Sequence, residues 1–231
     1  MKTIGMLGGM SWESSVSYYQ AINRGVKQEL GGLHSAQVAM VSVDFAEIEK
    51  LQQLGDWDAM AVILAKAARQ VERAGADFLV ICTNTMHKVA EQVQVEIGIP
   101  ILHIADATGQ KLIEDQVIKV ALLGTKFTMQ QDFYKSRLQQ RYQLEVLVPN
   151  EAQQELVHEI IYKELCLGVI SEQSRAKYLQ IVEDLFLEGA QAVILGCTEI
   201  ALLIEQQHTH IPLYDTTKIH AQSAVKMALA E

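Results

Sequence analysis

Basic residues are scarce in this chain. Nineteen Lys and Arg stand against 28 Asp and Glu, for a formal net charge of −9, and they form no cluster. Nucleic acid and anionic membrane surfaces are therefore disfavoured as partners. An anionic small molecule is not excluded, because it answers to the local field of its pocket. With only three prolines and no Gly/Ser-rich stretch, no flexible linker is expected. Three cysteines, an odd number without paired spacing, read as free thiols in a reducing compartment rather than as a disulfide framework. No apolar run approaches the length of a membrane span, and the opening Met-Lys-Thr-Ile does not look like a signal peptide. A cytoplasmic location is the resulting expectation.

What is present is a large apolar fraction, 49% of 231 residues, enough to build one large or two small cores. Short apolar runs at 3–7, 37–43, 78–82, 101–104, 119–123, 143–147, 192–195 and 213–214 read as strands. Between several of them lie stretches of helical period, such as 56–74 and 172–188, the latter with Ser171 placed to cap it. This alternation predicts parallel sheets covered by helices.

The chain also nearly repeats itself. Gly75-Ala76 and Gly189-Ala190 each precede an apolar run, and the two runs end on Thr83-Asn84-Thr85 and Cys197-Thr198-Glu199. Likewise Ile4-Gly-Met-Leu-Gly-Gly9 matches Val120-Ala-Leu-Leu-Gly-Thr125, and Tyr18-Tyr19 roughly matches Phe133-Tyr134. The fold class expected is α/β, with two pseudo-symmetric lobes, each a mainly parallel sheet flanked by helices. Residues 1–115 plus 211–231 would form the first lobe and 116–210 the second. The active site would lie in the cleft between them, at the carboxyl ends of the strands. A hydroxyl on Thr83 and a thiol on Cys197 at equivalent strand ends suit chemistry on two faces of one carbon. Coincidence between two βα units is the competing explanation.

Each motif carries a bland alternative. Gly5-Met-Leu-Gly-Gly-Met-Ser11 is neither a dinucleotide fingerprint nor a P-loop. Its glycines would let backbone amides around Met10 approach a carboxylate, or simply turn the chain into a helix capped by Ser11. Asn84 and Thr85 can donate to a carboxylate or cap a helix. His87 is a catalyst or, more ordinarily, a packed histidine. A thiol at a helix start is expected to have a lowered pKa, so Cys197 could serve as base or nucleophile, whereas Cys82 and Cys166 fit a core role. Asp106 and Asp215 follow short strands and would cap helices or orient catalytic groups. His208 and His210 make a poor metal set, and a loop before Pro212 explains them better. Trp12 and Trp57 read as packing residues.

Taken together, Ile4-Gly-Met-Leu-Gly-Gly-Met10, Thr83-Asn-Thr-Met-His87, His103-Ile-Ala-Asp-Ala-Thr108, Gly196-Cys-Thr-Glu199 and Asp215-Thr-Thr-Lys-Ile-His220 resemble the cofactor-independent aspartate/glutamate racemases. The resemblance spans essentially the whole chain. It implies two α/β lobes, no cofactor and no metal, a small amino acid as substrate, and a possible homodimer. In that family two opposed cysteines act as acid and base on the α-carbon. Here Thr83 takes the first cysteine's position, which resembles a subgroup specific for L-aspartate and L-glutamate. The resemblance makes Thr83 and Cys197 the catalytic pair. The amino acid would be held by Asn84, Thr85, Thr198 and the Met10 backbone, with Gln52 and Thr125 at its other end and Glu199 orienting the cysteine.

Two departures bear on specificity. Gln52 stands where relatives use a basic residue, and Cys166, in Glu164-Leu-Cys-Leu-Gly168, stands where some aspartate-specific members carry a lysine. Less acidic amino acids therefore remain admissible. So do three other functions: a hydantoin racemase, a maleate isomerase type, and an inactive amino-acid-binding homologue.

Overall fold

A computed structural model describes residues 1–230. It divides into two compact α/β units, one made of Met1–Ile104 with the chain from His220 onward, the other of Ala105–Ile219. The first unit carries β1 (Ile4–Gly8), α1 (Trp12–Leu30), β2 (Val38–Ser42), α2 (Phe45–Leu54), α3 (Trp57–Arg73), β3 (Phe78–Ile81), α4 (Ala90–Gln94) and β4 (Ile101–Leu102). The second carries α5 (Ile104–Glu114, from Ala105 on), β5 (Lys119–Gly124), α6 (Lys126–Gln130), α7 (Asp132–Tyr142), β6 (Glu145–Leu147), α8 (Glu151–Lys163), α9 (Glu172–Leu187), β7 (Ala192–Gly196), α10 (Ile200–Leu203) and β8 (Leu213–Asp215). The last helix, α11 (Thr216–Leu229), supplies the first unit from His220.

All the strands pair in parallel, in the orders β2-β1-β3-β4 and β6-β5-β7-β8. The two sheets repeat in register as well as in order. Ile4 faces Phe78 as Val120 faces Ala192, and Leu79 faces Ile101 as Val193 faces Leu213. The sequence repeat is thus a structural one. Gly75 and Gly189 end the two equivalent helices with φ of 92° and 99°, a left-handed conformation that a residue with Cβ adopts only at a cost.

Strands buried along their whole length show why these runs are continuously apolar: a parallel sheet is covered on both faces. In the first unit Leu7, Leu79 and Ile81 pack with α3 residues Leu64, Ala68 and Val71. On the opposite face Ile4, Met6, Phe78, Val80 and Cys82 pack with Tyr18, Ile22 and Val26 of α1 and Ala221, Ala224 and Val225 of α11. In the second unit Leu123, Val193 and Leu195 pack with Val157, Tyr178 and Val182.

The duplication reaches one buried polar pair per unit. The Tyr18 hydroxyl meets His220 Nδ1 at 2.9 Å, and the Tyr134 hydroxyl donates to Thr108 Oγ1 at 3.3 Å. Tyr134 lies at the position equivalent to Tyr18 by the β1/β5 offset, and His220 at that equivalent to Thr108 by the β4/β8 offset.

The lobe boundaries expected from the sequence are displaced. β8 pairs with β7, so residues 211–219 belong to the second unit and not the first. Residues 105–115 also belong to the second unit. Strand pairing and helix packing decide this, and neither is local in sequence: only from His220 on does α11 offer its alanine face to the first core. Trp12 is a second correction. It is 65% exposed rather than packed, while Trp57 packs on the first core with the Lys88 ammonium 3.7 Å over its ring.

Candidate active site

In the first unit the candidate residues sit where strands end. The chain leaves β1 through Gly8-Gly9 and enters α1, which Ser11 caps by accepting from the Ser14 amide at 3.2 Å. Gly9 has φ +94°, and a Cβ there would fall 2.2 Å from the Val43 carbonyl oxygen, so only glycine makes this turn beside β2. The Gly9 amide donates to Ser15 Oγ at 2.8 Å. Met10 follows, its side chain buried in the first core. The Ser14 hydroxyl donates to the Cys82 carbonyl at 2.8 Å and so ties this turn to the end of β3. In the sequence Ser14 shows only as the third residue of the helix after Ser11, where it makes no capping box, and nothing local reveals its bond to the end of β3.

Beyond β3, Thr83 is half-buried, Asn84 and Thr85 are buried, and residues Thr85–Val89 wind into a 3-10 helix. Asn84 makes no side-chain cap to it, so the capping role expected of this asparagine is not the one it plays. Strand alternation separates the neighbouring cysteine from the site. Ile81 faces the α3 side, and Cys82 the α1/α11 side. Cys82 is fully buried there, and burial pushes its thiol far above the usual range. Gln52 is buried on α2 beside Ile48.

His87 is a support for Thr83. Its Nδ1 lies 2.8 Å from the Thr83 carbonyl, and its Nε2 accepts the Ile104 amide at 3.2 Å. The ring is therefore the neutral Nδ1–H tautomer. Burial first, then the neighbouring His103 and His220, hold its pKa well below the usual histidine value. His220, with Nε2 2.7 Å from the Leu102 carbonyl, is pushed down by burial to about 4.

These two rings make folding acid-sensitive. Their folded pKa values lie below the unfolded one, so the unfolded chain takes up protons first as pH falls. Stability is complete above about pH 6.5 and declines toward pH 4, where His220 protonates in place. His220 alone contributes a loss of about 3 kcal/mol over that window. Urea midpoints measured from pH 7 to pH 4 should fall steadily, and His220→Gln should flatten the profile. An unchanged slope in that variant would refute the assignment.

In the second unit β7 ends on Gly196, and Cys197 continues the Val193, Leu195 face, half-buried. Its thiol donates to Glu199 Oε2 at 2.9 Å, and Glu199 is itself buried. Burial raises the Cys197 pKa well above that of an ordinary thiol, and the nearby Glu199 and Cys166 add to the effect. The lowered pKa expected of a helix-start thiol is therefore overturned. α10 has four residues, too few to offer much of a dipole, and the carboxylate outweighs it. At rest Cys197 is a thiol.

Thr198 is held by the Thr217 hydroxyl, which donates to it at 3.1 Å. Thr125 is buried and caps α6, accepting from the Thr128 amide at 3.4 Å. The same hydroxyl lies 3.3 Å from the Thr128 hydroxyl, and either of the two can donate. Asp215 accepts from the Thr217 and Lys218 amides and caps α11. Asp106 takes a bidentate pair of bonds from Arg137 at 2.6 and 2.7 Å and one from Arg141, joining α5 to α7. Burial raises its pKa, and the two guanidinium groups outweigh this and lower it. Both aspartates are thus structural clamps.

His208 Nδ1 accepts the Glu205 amide, and His210 lies edge-on to Phe186. Among the described residues no three His, Cys, Asp or Glu gather as metal ligands, and no helix is long and apolar enough to cross a membrane.

Against this geometry, known proteins give a consistent picture. The Asp/Glu/Hydantoin racemase family profile matches residues 7–224. The chain is 26% identical over 182 residues to the broad specificity amino-acid racemase RacX of Bacillus subtilis, covering 76% of this chain and 75% of that one. A Yersinia pestis protein crystallised as a candidate Asp/Glu racemase superposes with a TM-score of 0.94 at 50% identity, over 100% of both chains. An aspartate racemase homologue from Pyrococcus horikoshii superposes with a TM-score of 0.87 at 34% identity, again over 100% of both.

Proposed function

We propose, from the premise that this chain belongs to the Asp/Glu/Hydantoin racemase family, that it racemises α-amino acids without a cofactor and begins from the L enantiomer. L-aspartate and L-glutamate are the substrates the family resemblance assigns. One observation carries the mechanism. The Cys197 thiol donates to a buried carboxylate, Glu199, at the strand end equivalent to that of Thr83.

A thiol and a carboxylate at 2.9 Å in a desolvated place share one proton and one charge. When the α-ammonium of a substrate arrives beside the sulfur, its positive charge favours placing the pair's one negative charge on that sulfur. The thiol proton then passes to Glu199, and the thiolate so formed takes the α-proton. Thr83 delivers or relays a proton on the opposite face. Asn84, Thr85, Thr198 and the Met10 backbone hold the amino and carboxylate groups, and Gln52 and Thr125 approach the side chain.

The two faces are unequal. A threonine hydroxyl is far too weak an acid to rest as an alkoxide at neutral pH, so abstraction from a D-amino acid lacks a strong base. Equilibrium still demands equal amounts of the two enantiomers, and the Haldane relation matches any excess in forward rate with a difference in KM. α-Proton exchange in D₂O, followed by NMR with each enantiomer separately, tests the proposal. Exchange on L-amino acids should be faster than on their D-forms by about a hundredfold or more. Exchange on no amino acid would refute it.

A further inference from the structure

Side chains hold the backbone on both sides of Thr83. The Ser14 hydroxyl donates to the Cys82 carbonyl at 2.8 Å, and His87 Nδ1–H donates to the Thr83 carbonyl at 2.8 Å. The first carbonyl belongs to the peptide that precedes the Thr83 Cα, and the second to the peptide that follows it. Both peptide planes are therefore pinned, and with them φ and ψ of Thr83. A β-branched side chain on a fixed backbone has few rotamers, so these two bonds limit where Oγ1 can point.

The internal repeat shows that the fold does not require the histidine. By the β3/β7 offset, Cys197 stands where Thr83 does, and Ala201 where His87 does. There the backbone itself meets the equivalent carbonyl, since the Ile200 amide donates to the Cys197 carbonyl at 3.1 Å. The same strand end thus closes with no side-chain donor in the second unit. In the first unit a buried histidine makes that bond instead. Burying a polar ring costs free energy unless its bonds are made, so the exchange of alanine for histidine is not a neutral variation. It falls beside the one member of the proposed pair that carries a hydroxyl. A thiol can ionise to do its work. A hydroxyl stays protonated and depends on alignment.

We infer that His87, together with Ser14, is a positioning residue for proton transfer on the second face: it aims the Thr83 hydroxyl so that the substrate is inverted and not merely returned with its original configuration. The inference rests on the racemase proposal above. In this step the Thr83 O–H bond breaks as the new Cα–H bond forms, and the oxygen then regains a proton from water. Misplacing a reacting group by about 1 Å can cost about a hundredfold in rate. An α-carbanion not met on the second face is reprotonated on the face that lost the proton, and the L-form is recovered.

The test follows L-aspartate and L-glutamate in D₂O and reads two rates: formation of the D-form, and entry of deuterium into the remaining L-form. Two variants separate the two bonds of the ring. In His87→Asn the amide nitrogen falls near the place of Nδ1 and can still donate to the Thr83 carbonyl. In His87→Gln the amide reaches the place of Nε2 and can still accept the Ile104 amide, which lies 3.2 Å from the ring, but the bond to Thr83 is lost. The ratio of D-form made to deuterated L-form should fall about tenfold or more in His87→Gln and stay within about twofold in His87→Asn. A merely structural histidine would lower both rates together and leave the ratio in place. An unchanged ratio in folded His87→Gln overturns the inference, as does an equal fall in both variants. If neither variant folds, Ser14→Ala, which deletes one buried oxygen, decides: the ratio should fall there too, and an unchanged ratio overturns the inference. Absence of both rates in the wild type, with these and every other amino acid, is instead the failure of the racemase proposal itself.

Discussion

Cys197→Ser should lose L-side α-proton exchange by about a thousandfold or more. The substitution keeps a donor close to Glu199 Oε2, which accepts from the thiol at 2.9 Å, and leaves the strand end and its supports unaltered. What changes is acidity. Glu199 can draw a proton from a thiol, whose pKa is about 8.5 in water. An alcohol holds its proton far more tightly, and the same burial that raises the thiol would raise the hydroxyl too. The loss expected from removing a general base is about 10²–10⁴-fold. It should fall on kcat with KM little changed, because the residue acts on the α-proton and not on the groups that bind. Retention of L-side exchange in a folded Cys197→Ser variant would remove Cys197 from the mechanism.

The converse substitution, Thr83→Cys, should create what the natural chain lacks. α-Proton exchange on D-amino acids is expected to rise about a hundredfold or more, while exchange on the L-forms stays within a few-fold. The support at this position is to the backbone. His87 Nδ1–H bonds the Thr83 carbonyl, and Ser14 holds the carbonyl of Cys82. Neither bond involves the Thr83 side chain, so a thiol can replace the hydroxyl without disturbing them. The variant exchanges the hydroxyl for a larger thiol and removes the γ-methyl, so exchange on the L-forms is the control for fit, and a change in rate confined to the D-forms reports chemistry. Unchanged D-side exchange would mean that Thr83 is not the group on the second face.

Both predictions stem from the repeat, and the repeat was legible in the sequence. Glycines at 75 and 189 and polar tripeptides at 83 and 197 keep the same offset because each closes a helix and then ends a buried strand. Such features are local. A helix-ending glycine needs a positive φ, and a strand covered on two faces needs a continuous apolar run. Asp56 and Ser171 cap α3 and α9 through their own side chains, as residue type and position predict.

The site was legible in its parts and misread in its chemistry. The sequence places Cys197 at a helix start and so predicts an acidified thiol. It does not show that Glu199 turns its carboxylate back onto the sulfur, or that α10 is a single turn. Both are matters of side-chain direction and burial. The role of His87 was open for the same reason, since its two ring partners are four and seventeen residues away.

By itself, then, the sequence determined the α/β class, the eight strands, the duplication and the family, because these follow from local propensity, apolar periodicity and motif. Only the tertiary structure decided that β8 joins the second sheet, that α11 turns its alanine face to the first core, that Asp106 serves two arginines, and that Cys197 rests as a thiol. Those outcomes depend on pairings between residues far apart in the chain, and on the loss of water around charged groups, which no local pattern records.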